Sequence, residues 1–73
     1  MAKTVLLDHE KFAKEMEGLN ASQERVAELL GISDRHVRNL KTKDSIISAP
    51  LLYRISLIFH KPMEYFLIIL EQD

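Results

Sequence analysis

The sequence predicts an all-α domain, on three observations. The stretch Ser22–Lys41, SQERVAELLGISDRHVRNLK, reads as two short helices joined by a tight turn. Asp8 and Ser48 each precede a run with apolar residues at helical spacing, where a side-chain oxygen caps a helix. Pro50 and Pro62 fall where a first helical turn would begin, the place a helix accepts proline without losing a hydrogen bond.

Residues 1–73 make one domain, near the smallest size at which a single core is self-sufficient. With 47% hydrophobic and 29% charged residues the chain has a globular rather than a disordered composition. It has no cysteine, which excludes disulfides, zinc thiolates and thiol chemistry and suits a reducing compartment. No apolar run is long enough for a bilayer, and the N-terminus lacks the apolar core of a signal peptide. The expected location is cytoplasmic, with no membrane partner.

Residues 1–7 read as an arm. Val5, Leu6 and Leu7 are too apolar to remain in water, so part of it packs on the body or pairs as a short strand. Asp8–Glu17 follows as a helix with Phe12 and Met16 on one face and Leu19 extending it; Gly18 or Asn20 ends it. His9-Glu10 opens a zinc-protease-like pattern, but Ala13 stands where the second histidine is needed. Ser22 caps the next helix, whose apolar face is Val26, Ala27, Leu29 and Leu30, and Gly31 ends it. Ser33 caps another, with Asp34 at its positive end. There only Val37 and Leu40 are apolar. Such a helix is anchored along a thin seam and presents a face rich in donors.

Residues 42–49 form a loop in which one of Ile46 and Ile47 is expected to cover the core and the other to remain available to a partner. From Ser48 a helix runs to about His60, with Leu51, Ile55, Ile58 and Phe59 facing inward and Leu57 off that face. Pro62 opens the last segment, PMEYFLIILEQD. Its run Tyr65–Leu70 is apolar all round and rich in residues that favour strands, so helix and strand are both open. A monomer of this size cannot bury all of it, which marks residues 62–73 as a dimerisation segment, with Tyr65, Phe66, Ile68 and Ile69 as its contacts.

Net charge is −1, whereas small DNA-binding domains are usually basic. The distribution is uneven. Residues 35–43 hold Arg35, His36, Arg38, Lys41 and Lys43 and no acid. A solvated charged face is the ordinary explanation of such a run; the frame around it decides otherwise.

Gln23, Ala27, Gly31, Val37 and Leu40, at these spacings, resemble the helix-turn-helix of the phage repressor and Cro type of DNA-binding regulators. The resemblance covers roughly Leu19 to Leu67. It implies a five-helix repressor-like domain with its helix-turn-helix at residues 22–41 and a helix, rather than a strand, at the C-terminal end. It implies sequence-specific binding of double-stranded DNA by a homodimer. Asp34, Arg35 and Asn39 fall at positions that meet bases in relatives, and Arg38 lies beside them, facing a base or a phosphate. Asp34 has a second reading, as a helix-end charge paired with Arg38. Gln23 resembles a phosphate-clamping glutamine. Lys41 and Lys43 are phosphate candidates, and His36 faces either phosphate or solvent. Two departures stand out. Met16 and Lys41 occupy positions where relatives often carry an ion pair, which leaves Lys41 to turn outward. Lys43 occupies a position often held by glycine.

No enzyme is expected. His9, His36 and His60 sit on different elements without metal-ligand spacing, and no glycine-rich phosphate loop occurs. No cofactor, metal or small-molecule ligand is implied. The competing reading is a helix-turn-helix fold used as a protein-interaction module or antirepressor-like regulator.

Overall fold

Four α-helices form the body of the protein, and its two ends meet in a small sheet. The computed structural model describes residues 2–72, and the side chains of residues 4–70. Met1, the start of the predicted arm, and Asp73, the end of the predicted dimerisation segment, lie outside the described residues. The order is β1 (Ala2–Leu7), α1 (His9–Leu19), α2 (Gln23–Leu30), α3 (Asp34–Thr42), β2 (Ser45–Ile46), α4 (Ala49–Phe59), a 3-10 turn (Met63–Phe66) and β3 (Leu67–Gln72).

The predicted all-α, five-helix architecture is therefore corrected. The chain is mostly helical, but the fifth helix is replaced by a single 3-10 turn and a strand. Pro62 stays extended as the cap of that turn, at φ −66° and ψ 153°. From Leu67 onward the chain pairs antiparallel with β1, in the register Leu7↔Leu67, Leu6↔Ile68, Val5↔Ile69 and Thr4↔Leu70. The physical reason lies in the apolar run. As a helix, Leu67–Leu70 would bury one side and leave the rest in water. As a strand it satisfies its backbone against the arm and pairs apolar residues across the ladder. β2 adds a short third strand on the other side of β1, through Leu6↔Ile46 and Leu7↔Ser45.

The helix boundaries follow from local chemistry. The Asp8 carboxylate accepts the backbone N–H groups of Glu10 and Lys11 and starts α1. Asn20, at φ 55°, ends it. His60 ends α4 in the same left-handed conformation, at φ 56°. Pro50 lies in the first turn of α4, as predicted, although the Ser48 hydroxyl makes no capping bond there. The core joins all helices: Phe12 and Met16 from α1, Val26, Ala27 and Leu30 from α2, Val37 and Leu40 from α3, Leu52, Ile55 and Phe59 from α4. Leu7 and Phe66 bring the sheet and the 3-10 turn into it. Phe59 stands at the centre of an aromatic cluster, 5.8 Å from Phe12 and 5.9 Å from Phe66 between ring centroids.

Candidate nucleic-acid interface

The α2–turn–α3 unit is held at each corner. The Ser22 hydroxyl accepts the N–H of Arg25 at the start of α2. Gly31 takes φ +71° at its end, the left-handed region that costs other residues most. Arg54 reaches over from α4 and donates from Nη1 to the Leu30 carbonyl at 3.1 Å, which closes the C-terminus of α2. A Cβ at position 31 would stand 3.0 Å from that same nitrogen, so Gly31 serves both the turn and the closure. The Ser33 hydroxyl then accepts the N–H of His36 and starts α3.

α3 divides cleanly into two faces. Val37 and Leu40 are buried, while Asp34, Arg35, His36, Arg38 and Asn39 are exposed. Arg35, Arg38 and Asn39 stand at i, i+3 and i+4 and share one stripe. Among the described residues no ion pair joins Asp34 to Arg38, so both charges remain available. At the C-terminal end Thr42 turns its hydroxyl back to the Arg38 carbonyl at 3.1 Å. Lys43 then leaves the helix fully extended, at φ −153° and ψ 151°. Any residue adopts that backbone, which explains how lysine stands where relatives often have glycine.

Gln23 is committed to α3. Its Nε2 donates to the Asp34 carbonyl at 3.2 Å, and its Oε1 accepts from Lys41 Nζ at 3.5 Å. Lys41 thus differs from the expectation that it turn outward. It lies half-buried along a shallow cleft of about 160 Å³ shared with Ala13, Met16, Glu17, Ala21 and Gln23. Met16 offers the lysine no ion-pair partner, so its stem lies along the cleft and its ammonium reaches the glutamine.

The loop after α3 makes a contact that has no signal in the sequence. Asp44 sends one carboxylate oxygen to His9, 2.6 Å from Nδ1 and 3.1 Å from the backbone nitrogen. The hydrogen bond from Asp44 is the main reason the His9 pKa is raised, with the Asp44, Glu10 and Asp8 charges adding to it against some desolvation. The same bond is the main reason the Asp44 pKa is lowered.

The predicted dimerisation residues are dispersed. Phe66 is fully buried in the core. Tyr65 is half-buried, with its hydroxyl 3.1 Å from a Glu15 carboxylate oxygen and Lys11 and Lys61 near its ring. Its pKa is raised, first by desolvation and then by that bond to Glu15. Ile68 is half-buried, and Ile69, on the opposite face of β3, is 58% exposed. Exposed apolar surface continues onto Val5 beside Ile69, and onto Leu70 and Ile46 on the other face. Ile46 is the most open of these at 80% exposure, whereas Ile47 packs against the core.

A helix-turn-helix family model matches residues 12–66. The chain belongs to that family, the helix-turn-helix of phage repressor and Cro type. The class this defines is the DNA-binding transcription regulator. Searches of curated proteins and of solved structures returned no significant match.

Proposed function

We propose that this protein is a cytoplasmic repressor that binds duplex DNA sequence-specifically as a homodimer, with α3 in the major groove. The observation that carries the reading is the division of α3. Its apolar residues are spent on the core, and its outer stripe offers Arg35, Arg38 and Asn39. Arginine matches guanine O6 and N7 with two hydrogen bonds, and asparagine matches adenine N6 and N7. Asp34, at the N-terminal end nearest the bases, accepts from cytosine N4. His36 and Lys43 are the phosphate contacts beside it, while Gln23 and Lys41 are engaged with each other and hold α3 to α2. With a net charge of −1, this local cationic surface, and few base contacts, supply the affinity.

The second copy is held through the sheet. β3 is an edge strand whose outer backbone has no partner among the described residues, and it carries Ile69 and Leu70 exposed. An apolar edge strand is a surface that proteins ordinarily cover. Selection from random duplexes tests the whole reading. It should enrich a two-fold symmetric site with half-sites about 10 base pairs apart. Binding should weaken steeply with salt. A protein that enriches no sequence, or binds without salt dependence, refutes it.

A further inference from the structure

We propose that His9 and Asp44 form a latch that positions the loop between α3 and β2, and Lys43 with it, against the DNA backbone. The inference rests on the DNA-binding reading and adds to it two residues remote from α3's base-reading stripe. Asp44 adds a polar link between the recognition unit and the first helix to the apolar contacts of the core. It is preceded by Lys43, the last residue to cap α3, and followed by Ser45, which pairs with Leu7 in the sheet. Its carboxylate crosses to the N-terminus of α1 and accepts both the His9 N–H and the His9 imidazole. The loop is therefore pinned on two sides, by β1 pairing and by α1. What remains free to face outward is the Lys43 side chain, which is exposed.

The latch has a fixed part and a titrating part. The backbone N–H of His9 donates whatever the pH. The imidazole donates from Nδ1 with charge assistance when protonated, and as a neutral donor in the Nδ1–H tautomer when not. A cation at the N-terminus of a helix is ordinarily unfavourable. Here Asp8, the cap of α1, Glu10 in its first turn and Asp44 of the loop face it, and all three favour the charged form. The adjoining sheet residues, Leu7 and Ser45, carry no charge. Because the histidine pKa is raised, the strengthened latch is fully present below the ordinary imidazole value and weakens as pH rises through the raised one. The lowered Asp44 pKa sets the acid limit, below which the carboxylate is lost. The working window therefore lies between the lowered Asp44 pKa and the raised His9 pKa.

The test measures affinity for a selected duplex at constant ionic strength between about pH 6 and pH 8.5, a range that spans ordinary histidine titration. His36, exposed on α3, is the other histidine that a phosphate backbone would sense, so His36→Gln serves as the comparison. His9→Asn keeps a donor near the Nδ1 position and does not titrate. Affinity of the natural protein should fall about two- to fivefold across the range, and His36→Gln should keep the part of that slope that His9 contributes. His9→Asn should bind well at both ends and lose that slope. Lys43→Ala should weaken binding about two- to fivefold in the natural protein and much less in Asp44→Ala, because an unpinned loop no longer places the ammonium. NMR of the free protein supplies an independent readout. The amide signals of residues 43–46 should follow the His9 titration, and Asp44→Ala should abolish that coupling. An unchanged pH slope in His9→Asn, or an equal Lys43→Ala effect with and without Asp44, overturns the latch. Failure of the natural protein to bind DNA at any pH refutes the DNA-binding reading instead, and the free-protein titration then decides alone whether the latch exists.

Discussion

Replacing Phe66 by alanine separates the two halves of the C-terminal segment. Phe66 has no exposed surface, its ring lies 5.9 Å from Phe59 and 5.0 Å from Tyr65, and its carbonyl accepts the Asp8 N–H at 2.7 Å. It thus fixes the point where β3 leaves the body and β1 enters α1. Truncating a fully buried phenylalanine removes its transfer free energy and leaves a cavity, a loss of about 3–5 kcal/mol. The aromatic pairings are part of that sum, at about 0.5–1.5 kcal/mol each. A chain of this length has a total stability of roughly 4–11 kcal/mol. Phe66→Ala should therefore leave the protein marginal, with Tm lowered by about 15–30 °C. Phe66→Leu, which refills most of the volume, should cost less than about 2 kcal/mol. Urea unfolding at two protein concentrations gives the measurement and separates folding from association. A loss below about 1 kcal/mol for Phe66→Ala would place this ring outside the core and refute the packing argument.

Other expected outcomes probe the strand, the caps and the turn. Ile69→Asp should abolish self-association in sedimentation at tens of micromolar (order of magnitude) while costing the fold about 1 kcal/mol or less; an intact dimer contradicts the sheet-edge interface. Ser33→Ala removes the acceptor for the His36 N–H and should cost about 1 kcal/mol in urea unfolding. His60→Gly relieves a left-handed residue at the end of α4 and should raise stability by about 0.5–1 kcal/mol, net of the freedom glycine adds to the unfolded chain; a loss of similar size would argue for a side-chain role at His60.

What the sequence made legible was local. Asp8, Ser22 and Ser33 announce helix starts because a side-chain oxygen meets backbone donors two or three residues ahead. Gly31 announces a turn because its conformation disfavours a Cβ. Val37 and Leu40 announce the buried seam of α3 because helical spacing puts them on one side. The C-terminal strand was legible only as an alternative. Leu67–Leu70 is apolar without a period, so neither helix nor strand can be read from it, and the partner that decides the matter, β1, lies at the other end of the chain. Tyr65 and Phe66 look alike within that run, but the 3-10 turn sends one ring into the core and the other toward α1. Lys41 turned back because of Gln23, a residue on another helix. Across 35 residues, nothing in the neighbourhood of His9 or Asp44 foretold their contact. Local donors, acceptors and dihedrals survive reading one residue at a time; contacts made by topology do not.

In the proposed complex the exposed stripe of α3 reads bases. Base-by-base specificity of the natural protein, Arg35→Ala and Asn39→Ala, measured on one randomised duplex pool, tests it most directly. Each substitution should relax the preference at a single position per half-site, at a cost of about 1–3 kcal/mol against the favoured base, while preference at the other positions and the half-site spacing persist. Unchanged specificity profiles in both variants would contradict the claim.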